Sequence, residues 1–259
     1  MARSRFDLDG KVALVTGGNG GIGLGMARGL AEHGADVVIW GTNPAKTAAA
    51  EADLKVLGGR VFAQLVDVSD KATVEAATAE ALARMGRLDC VIANAALGGV
   101  FTPFTEVTME EYGRTVAVNL GGVFWTLQAA CRHMIERAEA GDPGGSLVAV
   151  SSIGAFKSYS GVEPYVAAKG ALLSLTRSLA VGHGRYGIRA NCIIPGFVAT
   201  EMTQGLRDDP AMAKASLARI PAARWGEPDD LAGIAVYLAS DASRYHTGDS
   251  LAVDGGYLA

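Results

Sequence analysis

Cysteine is scarce in this chain. Its three copies, Cys90, Cys131 and Cys192, lie far apart, are odd in number and form no Cys-x-x-Cys pair. A disulfide framework is therefore not expected, and the apolar neighbours of each point to buried free thiols in a reducing compartment. Histidine is equally sparse. His33, His133, His183 and His246 show none of the spacings that hold a metal, so no metal site is expected. There is no Lys/Arg-rich run and the net charge is only -4, which leaves no basic footprint for nucleic acid. No apolar run reaches the ~18 residues of a membrane helix. The opening stretch "MARSRFDLDGK" lacks the apolar core of a signal peptide. Linkers, low-complexity tracts and fixed-period repeats are missing too. Together these absences predict one cytoplasmic domain over residues 1–259, bound neither to nucleic acid nor to membrane.

What is present is an alternation. Of the 259 residues 49% are hydrophobic, enough for a sizeable core. Short apolar runs occur as "KVALVT" at 11–16, "DVVIWG" at 36–41, "VFAQLVDV" from Val61 and "LDCVIANA" from Leu88. "GSLVAVSS" from Gly145, "IRANCIIPG" from Ile188 and "SLAVDGG" from Ser250 complete the set. Helical stretches separate them, expected after the first glycines, over 44–57, 70–85, 108–138, from Pro164 onward and over 228–240. Seven apolar strands interleaved with helices predict an α/β fold, a doubly wound parallel sheet covered by helices on both faces.

The first strand runs into "VTGGNGGIG". Gly18, Gly20 and Gly23 satisfy G-x-G-x-x-G, while Gly17, Gly21 and Gly23 satisfy G-x-x-x-G-x-G. Either spacing allows a tight turn and a close approach of backbone to a pyrophosphate at a helix N-terminus, with Asn19 and Ile22 in the same loop. A plain tight turn would leave the same pattern. A Walker loop would not, because no Gly-Lys-Ser/Thr follows. The acid that commonly binds a ribose 2′-OH some twenty residues on is missing: Gly41 stands there, followed by Thr42 and Asn43. Its loss removes a hydrogen bond to the 2′-OH and also a repulsion against a 2′-phosphate, so the reading is NAD(P)(H) with a lean to NADP(H), supported by nearby Lys46.

In "PYVAAKGALLSLTRSLA" a tyrosine, Tyr165, stands four residues before a lysine, Lys169, at the start of an amphipathic pattern. A surface phenol and a snorkelling lysine would satisfy that pattern without any chemistry.

The glycine loop, "IANAA" at a strand end, and Tyr-x-x-x-Lys after "AVSS" occur in one order. Together they resemble the short-chain dehydrogenase/reductase family in its compact one-domain form, over essentially the whole chain from Leu8. The resemblance assigns Thr16, Gly17, Gly21 and Gly23 to the cofactor loop, and Asp67 and Val68 to the adenine contact. Asn94 and Ala95 match part of the Asn-Asn-Ala-Gly motif, with Ala93 and Ala96 departing from it. It further implies a catalytic Asn119, a Ser152 that holds the substrate oxygen (thirteen residues before the tyrosine, which selects it over Ser151), Tyr165 as acid/base and Lys169 on the nicotinamide ribose. Pro195, Gly196, Val198 and Thr200 would lie at the nicotinamide end.

The resemblance gives the Tyr/Lys pair a purpose. Interconverting a secondary alcohol and a ketone needs a hydride and a proton, and a cofactor carries the hydride. A free phenol has a pKa near 10, so an ammonium one turn away is expected to lower it. Asn119 would anchor a water that links Lys169 to solvent, or merely pin a helix kink. Enoyl reductases of similar fold separate Tyr and Lys more widely, so four residues favours carbonyl chemistry. The substrate is expected to be a small molecule, largely neutral around its carbonyl, in a pocket walled by Leu97, Val100, Phe101, Ile153, Phe156, Phe197 and Met202. Lys157 and Arg207 are the cations in those segments. Alternatives are a 3-oxoacyl-thioester reductase and a non-catalytic dinucleotide-binding protein. The family also implies a homotetramer.

Overall fold

The computed structural model describes residues 4–259. The first three residues of the leader stretch considered above lie outside the described residues. The five central apolar runs become strands whose side chains are buried on both faces, while the two edge runs, from Val61 and from Ser250, are only partly buried. The strands are β1 (Val12–Thr16), β2 (Asp36–Gly41), β3 (Val61–Leu65), β4 (Cys90–Ala93), β5 (Gly145–Val150), β6 (Ile188–Pro195) and β7 (Ser250–Val253). All pair in parallel in one sheet of order β3-β2-β1-β4-β5-β6-β7. Strand order reverses between β1 and β4, and a crevice opens there at the carboxyl ends of the strands.

Helices α1 (Gly21–Glu32), α2 (Pro44–Lys55), α3 (Lys71–Met85), α4 (Met109–Val116), α5 (Val123–Glu139) and α6 (Glu163–His183) fill the crossovers. After β6 come α7 (Gln204–Asp208) and α8 (Pro210–Leu217), and α9 (Ala232–Ala239) precedes β7. Two cores result. One joins α3, α5 and α6 to a sheet face through Val74, Leu127, Met134 and Leu172. The other joins α1 and α9 to the opposite face through Met26, Leu30, Leu231 and Leu238. Gly29 makes that second contact possible, since a Cβ there would stand 2.6 Å from the Cβ of Ala232.

The single helix expected over 108–138 is two helices joined by a π-helical turn, Ala117–Gly122. Asn119 sits at its centre. Turns of this kind interrupt helices at functional sites, where a local widening re-aims side chains. The helix expected over 228–240 begins as a 3-10 turn, Pro228–Leu231. Cys90, Cys131 and Cys192 are free and buried, and burial pushes the Cys90 thiol up to about 12. No helix among the described residues is long and apolar enough to cross a membrane.

Candidate active site

A cleft of about 1100 Å³ lies over the reversal point. Gly17, Asn19, Gly21, Ile22, Gly23, Thr42, Asp67, Val68, Asn94, Ala95 and Thr200 all line it. The N-terminus of α1 opens onto it without a side-chain cap or an acidic residue in its first turn. Its free N–H groups and positive dipole end suit a pyrophosphate. The turn before it is geometrically demanding. Gly17 and Gly21 have φ of 63° and 49°. A Cβ on Gly23 would stand 2.7 Å from the carbonyl carbon of Gly17 and 2.6 Å from Asn94 Nδ2. Asn94 is the clamp: its Nδ2 donates to the Thr16 carbonyl at 2.9 Å, and its N–H and that of Ala95 donate to Thr16 Oγ1, each at 2.9 Å. The end of β4 is thereby tied to the end of β1. The donors, the uncapped helix end and the cleft size fit a dinucleotide.

Besides Tyr165 and Lys169, four residues expected at the cofactor lie outside the cleft lining. Asn43 caps α2, its Oδ1 accepting from the Lys46 N–H at 3.0 Å. Pro195 closes β6 opposite Val253, and Gly196 donates to the Val253 carbonyl at 3.0 Å; both belong to the β6–β7 seam. Val198 is buried and bridges to Gly226. Asp67 does not cap α3. That cap is Asp70, while the Asp67 carboxylate accepts from Ser69 N–H and Oγ.

Of the four catalytic candidates, Ser152, Tyr165 and Lys169 lie together, and Asn119 is tied to Leu97 on the cleft wall. Ser151 spends its hydroxyl on the Lys169 carbonyl at 2.7 Å. Ser152 instead faces the phenol: its Oγ accepts from Gly154 N–H at 3.1 Å and hydrogen-bonds Tyr165. Lys169 is fully buried, donates to the Val150 carbonyl at 2.8 Å and places Nζ 5.8 Å from the Tyr165 ring centroid. The expected lowering of the phenol does not occur. Burial is the largest influence and raises Tyr165, with Ser152 hydrogen bonding opposing it. Burial instead pushes Lys169 down, to about 8. The charge of the pair is strained on the lysine side. Asn119 is wholly buried, and both ends of its amide serve Leu97: Nδ2 donates to the Leu97 carbonyl at 2.9 Å, and Oδ1 accepts from the Leu97 N–H at 2.7 Å. Its side chain holds the loop after β4.

The supposed substrate walls divide. Leu97 and Met202 line the cleft, whereas Val100, Phe101 and Phe156 are exposed and are not among its lining residues. Ile153 is buried in the core. Phe197 packs in an aromatic cluster with Tyr159, Trp225 and Tyr257. Lys157 is committed to that cluster, donating to the Tyr257 carbonyl at 2.7 Å with its charge over the Tyr257 ring. Cleft residues missed from the sequence include Val118, next to Asn119, and Glu201, next to Thr200. Adjacency to a motif residue was the available signal for both.

Comparison with known proteins agrees with this geometry. A family model described as enoyl-(acyl carrier protein) reductase matches residues 17–258. The gluconate 5-dehydrogenase of Gluconobacter oxydans is 37% identical, covering 97% of this chain and 96% of that protein. The 3-oxoacyl-[acyl-carrier-protein] reductase of Chlamydia muridarum is 38% identical, covering 95% and 96%. A solved gluconate 5-dehydrogenase from Burkholderia cenocepacia, in complex with NADP and tartrate, superposes with a TM-score of 0.92 at 39% identity, covering 98% and 97%. The chain belongs to the short-chain dehydrogenase/reductase family, and with that family comes its reaction class, NAD(P)-dependent oxidoreduction between a secondary alcohol and a ketone.

Proposed function

We propose that residues 1–259 act as one catalytic domain that oxidises or reduces a single secondary position of a small polyhydroxy compound, with a lean to NADP(H). The juxtaposition of Ser152, Tyr165 and Lys169 beside an open dinucleotide-sized cleft carries this reading. Gly17, Asn19, Gly21, Ile22, Gly23, Thr42, Asp67, Asn94 and Thr200 would hold the dinucleotide, which when bound supplies or accepts the hydride. Ser152 Oγ positions the substrate oxygen. Tyr165 gives that oxygen its proton in reduction and takes it back in oxidation. Lys169, still largely protonated at neutral pH with a pKa of about 8, stabilises the phenolate that appears in turnover. With the Asn119 amide spent on Leu97, any water it holds for the proton path binds its backbone in the π-turn, where the regular helical pairing is broken.

Two of the relatives reported above are named for gluconate 5-dehydrogenation, a reaction four carbons from the carboxylate. A substrate of that kind is neutral around its reacting carbon, and Lys157 has no need to reach it. The lean to NADP(H) rests on Gly41 in place of an acid and on Lys46 at the rim. The family supports a cytoplasmic homotetramer. The chlamydial relative favours a second reading, a 3-oxoacyl-thioester reductase, on the same catalytic residues. A panel of polyols, sugar acids, ketones and an acetoacetyl thioester, assayed with both cofactors, separates the two. Tyr165→Phe should lose at least a thousandfold in kcat yet bind cofactor normally, because only the ionisable hydroxyl is removed. Near-normal turnover by that variant would end the proposal.

A further inference from the structure

Lys46 and Glu201 face each other across the cofactor cleft, 155 positions apart in sequence, and form an ion pair. Both line the cleft. Their carriers are held. Asn43 caps the helix that presents Lys46. On the other side Thr203 Oγ1 donates to the Val198 carbonyl at 2.7 Å and accepts from the Thr200 N–H at 3.1 Å, which fixes the turn that presents Glu201. Thr200 itself lies against the glycine loop, its Cγ2 3.2 Å from where a Cβ on Gly21 would be. The pair therefore closes over the outside of the loop that would cradle the pyrophosphate.

The cations lining the cleft are Arg28, Lys46 and Arg114. Arg28 is bound to Asp53 at 2.6 Å. Lys46 is the one that follows the end of β2, where a dinucleotide places its adenosine ribose 2′ position. Glu201 occupies that lysine and adds a negative charge beside it. A 2′-phosphate must displace the carboxylate to reach the ammonium and must also tolerate its charge. A 2′-hydroxyl meets neither demand.

We propose that Glu201 is a specificity-determining residue that holds down the preference for NADP(H) by engaging Lys46, so that a 2′-phosphate and the segment after β6 compete for one ammonium. The inference rests on the dinucleotide reading above. Two consequences follow from the geometry. Phosphate binding frees Glu201 and with it one tie on the segment leading into α7. The effect of Glu201 on cofactor choice shrinks when Lys46 is absent, since the carboxylate acts largely through it.

The test is fluorescence titration of NADPH and NADH against the wild-type protein, Glu201→Gln, Lys46→Gln and the double variant, at low and high salt. Removing one exposed ion pair and one repulsion is expected to raise the NADPH/NADH affinity ratio of Glu201→Gln by about three- to tenfold at low salt, and by less at high salt. Lys46→Gln should lower the ratio, and in its background Glu201→Gln should change it less than twofold. An unchanged ratio in Glu201→Gln, with both cofactors binding, overturns the inference and leaves the dinucleotide reading standing. An equal rise in the Lys46→Gln background also overturns it, because the carboxylate would then act directly. Failure of both cofactors to bind the wild-type protein overturns both.

Discussion

Replacing Lys169 by methionine should abolish turnover without costing stability at neutral pH. The ammonium is fully buried, and burial lowers its pKa from 10.5 to about 8. At roughly 1.4 kcal/mol per unit, keeping that charge inside the folded protein costs about 3 kcal/mol at pH 7. The sign follows from linkage. Below about 8 the lysine is charged in folded and unfolded chains alike, and the cost is complete. As pH rises from about 8 towards 10.5 the folded form loses its proton first, and the cost is relieved. A methionine side chain has similar volume and no charge, but it orphans the Val150 carbonyl that accepts from Lys169 Nζ at 2.8 Å. An orphaned buried acceptor costs about 1–3 kcal/mol. The balance runs from neutral to about 2 kcal/mol in favour of the variant, a Tm unchanged or several degrees higher. Thermal melts at fixed protein concentration, from pH 7 to 9.5, check this. Over that range the wild-type protein should gain about 2 kcal/mol on the variant, most of the difference. Cys192, the neighbouring thiol, is itself raised to about 11 and does not confuse the comparison. A Tm more than about 4 °C below wild type at pH 7, or a gap that ignores pH, would refute the reasoning.

Gly23→Ala forces its new methyl against the carbonyl carbon of Gly17 and against Asn94 Nδ2, breaking the clamp between β1 and β4. A loss of about 2–4 kcal/mol is expected, together with the loss of dinucleotide binding. A normal melting curve with normal cofactor titration would show that the loop tolerates the methyl. Light scattering should report a species of about four times the chain mass. The exposed Met109, Tyr112 and Phe124 on α4 and α5 are the apolar surface available for such an assembly. A stable particle of one chain mass, about 27 kDa, would rule the tetramer out.

The seven strands could be seen in the sequence because parallel strands covered on both faces must be nearly continuous apolar runs. The glycine loop was visible for a similar reason: its backbone angles and close contacts exclude other residues at Gly17, Gly21 and Gly23. What stayed hidden depends on contacts between distant residues. The π-turn at Asn119 interrupts no hydrophobic pattern, so residues 108–138 look like one helix. Lys157 is one of two cations in the segments expected to wall the pocket, yet its partner is Tyr257, one hundred positions away. Asn43 looked like a ribose ligand because capping and ligand binding ask for the same amide. The response of the Tyr165 phenol turned on how deeply the pair is enclosed, which spacing does not report.

The tie between Lys157, Tyr159 and Tyr257 has a consequence in the order of synthesis. Tyr159 Oη donates to Tyr257 Oη at 2.9 Å, so the loop that follows Ser152 is braced by residues near the far end of the chain. The glycine loop and Asn94 leave the ribosome early, and the contacts of Asn94 and Ala95 with Thr16 and Gly17 need nothing later than Ala95. The brace on the substrate side waits for Tyr257. A nascent chain can therefore shape one half of its cleft long before the other.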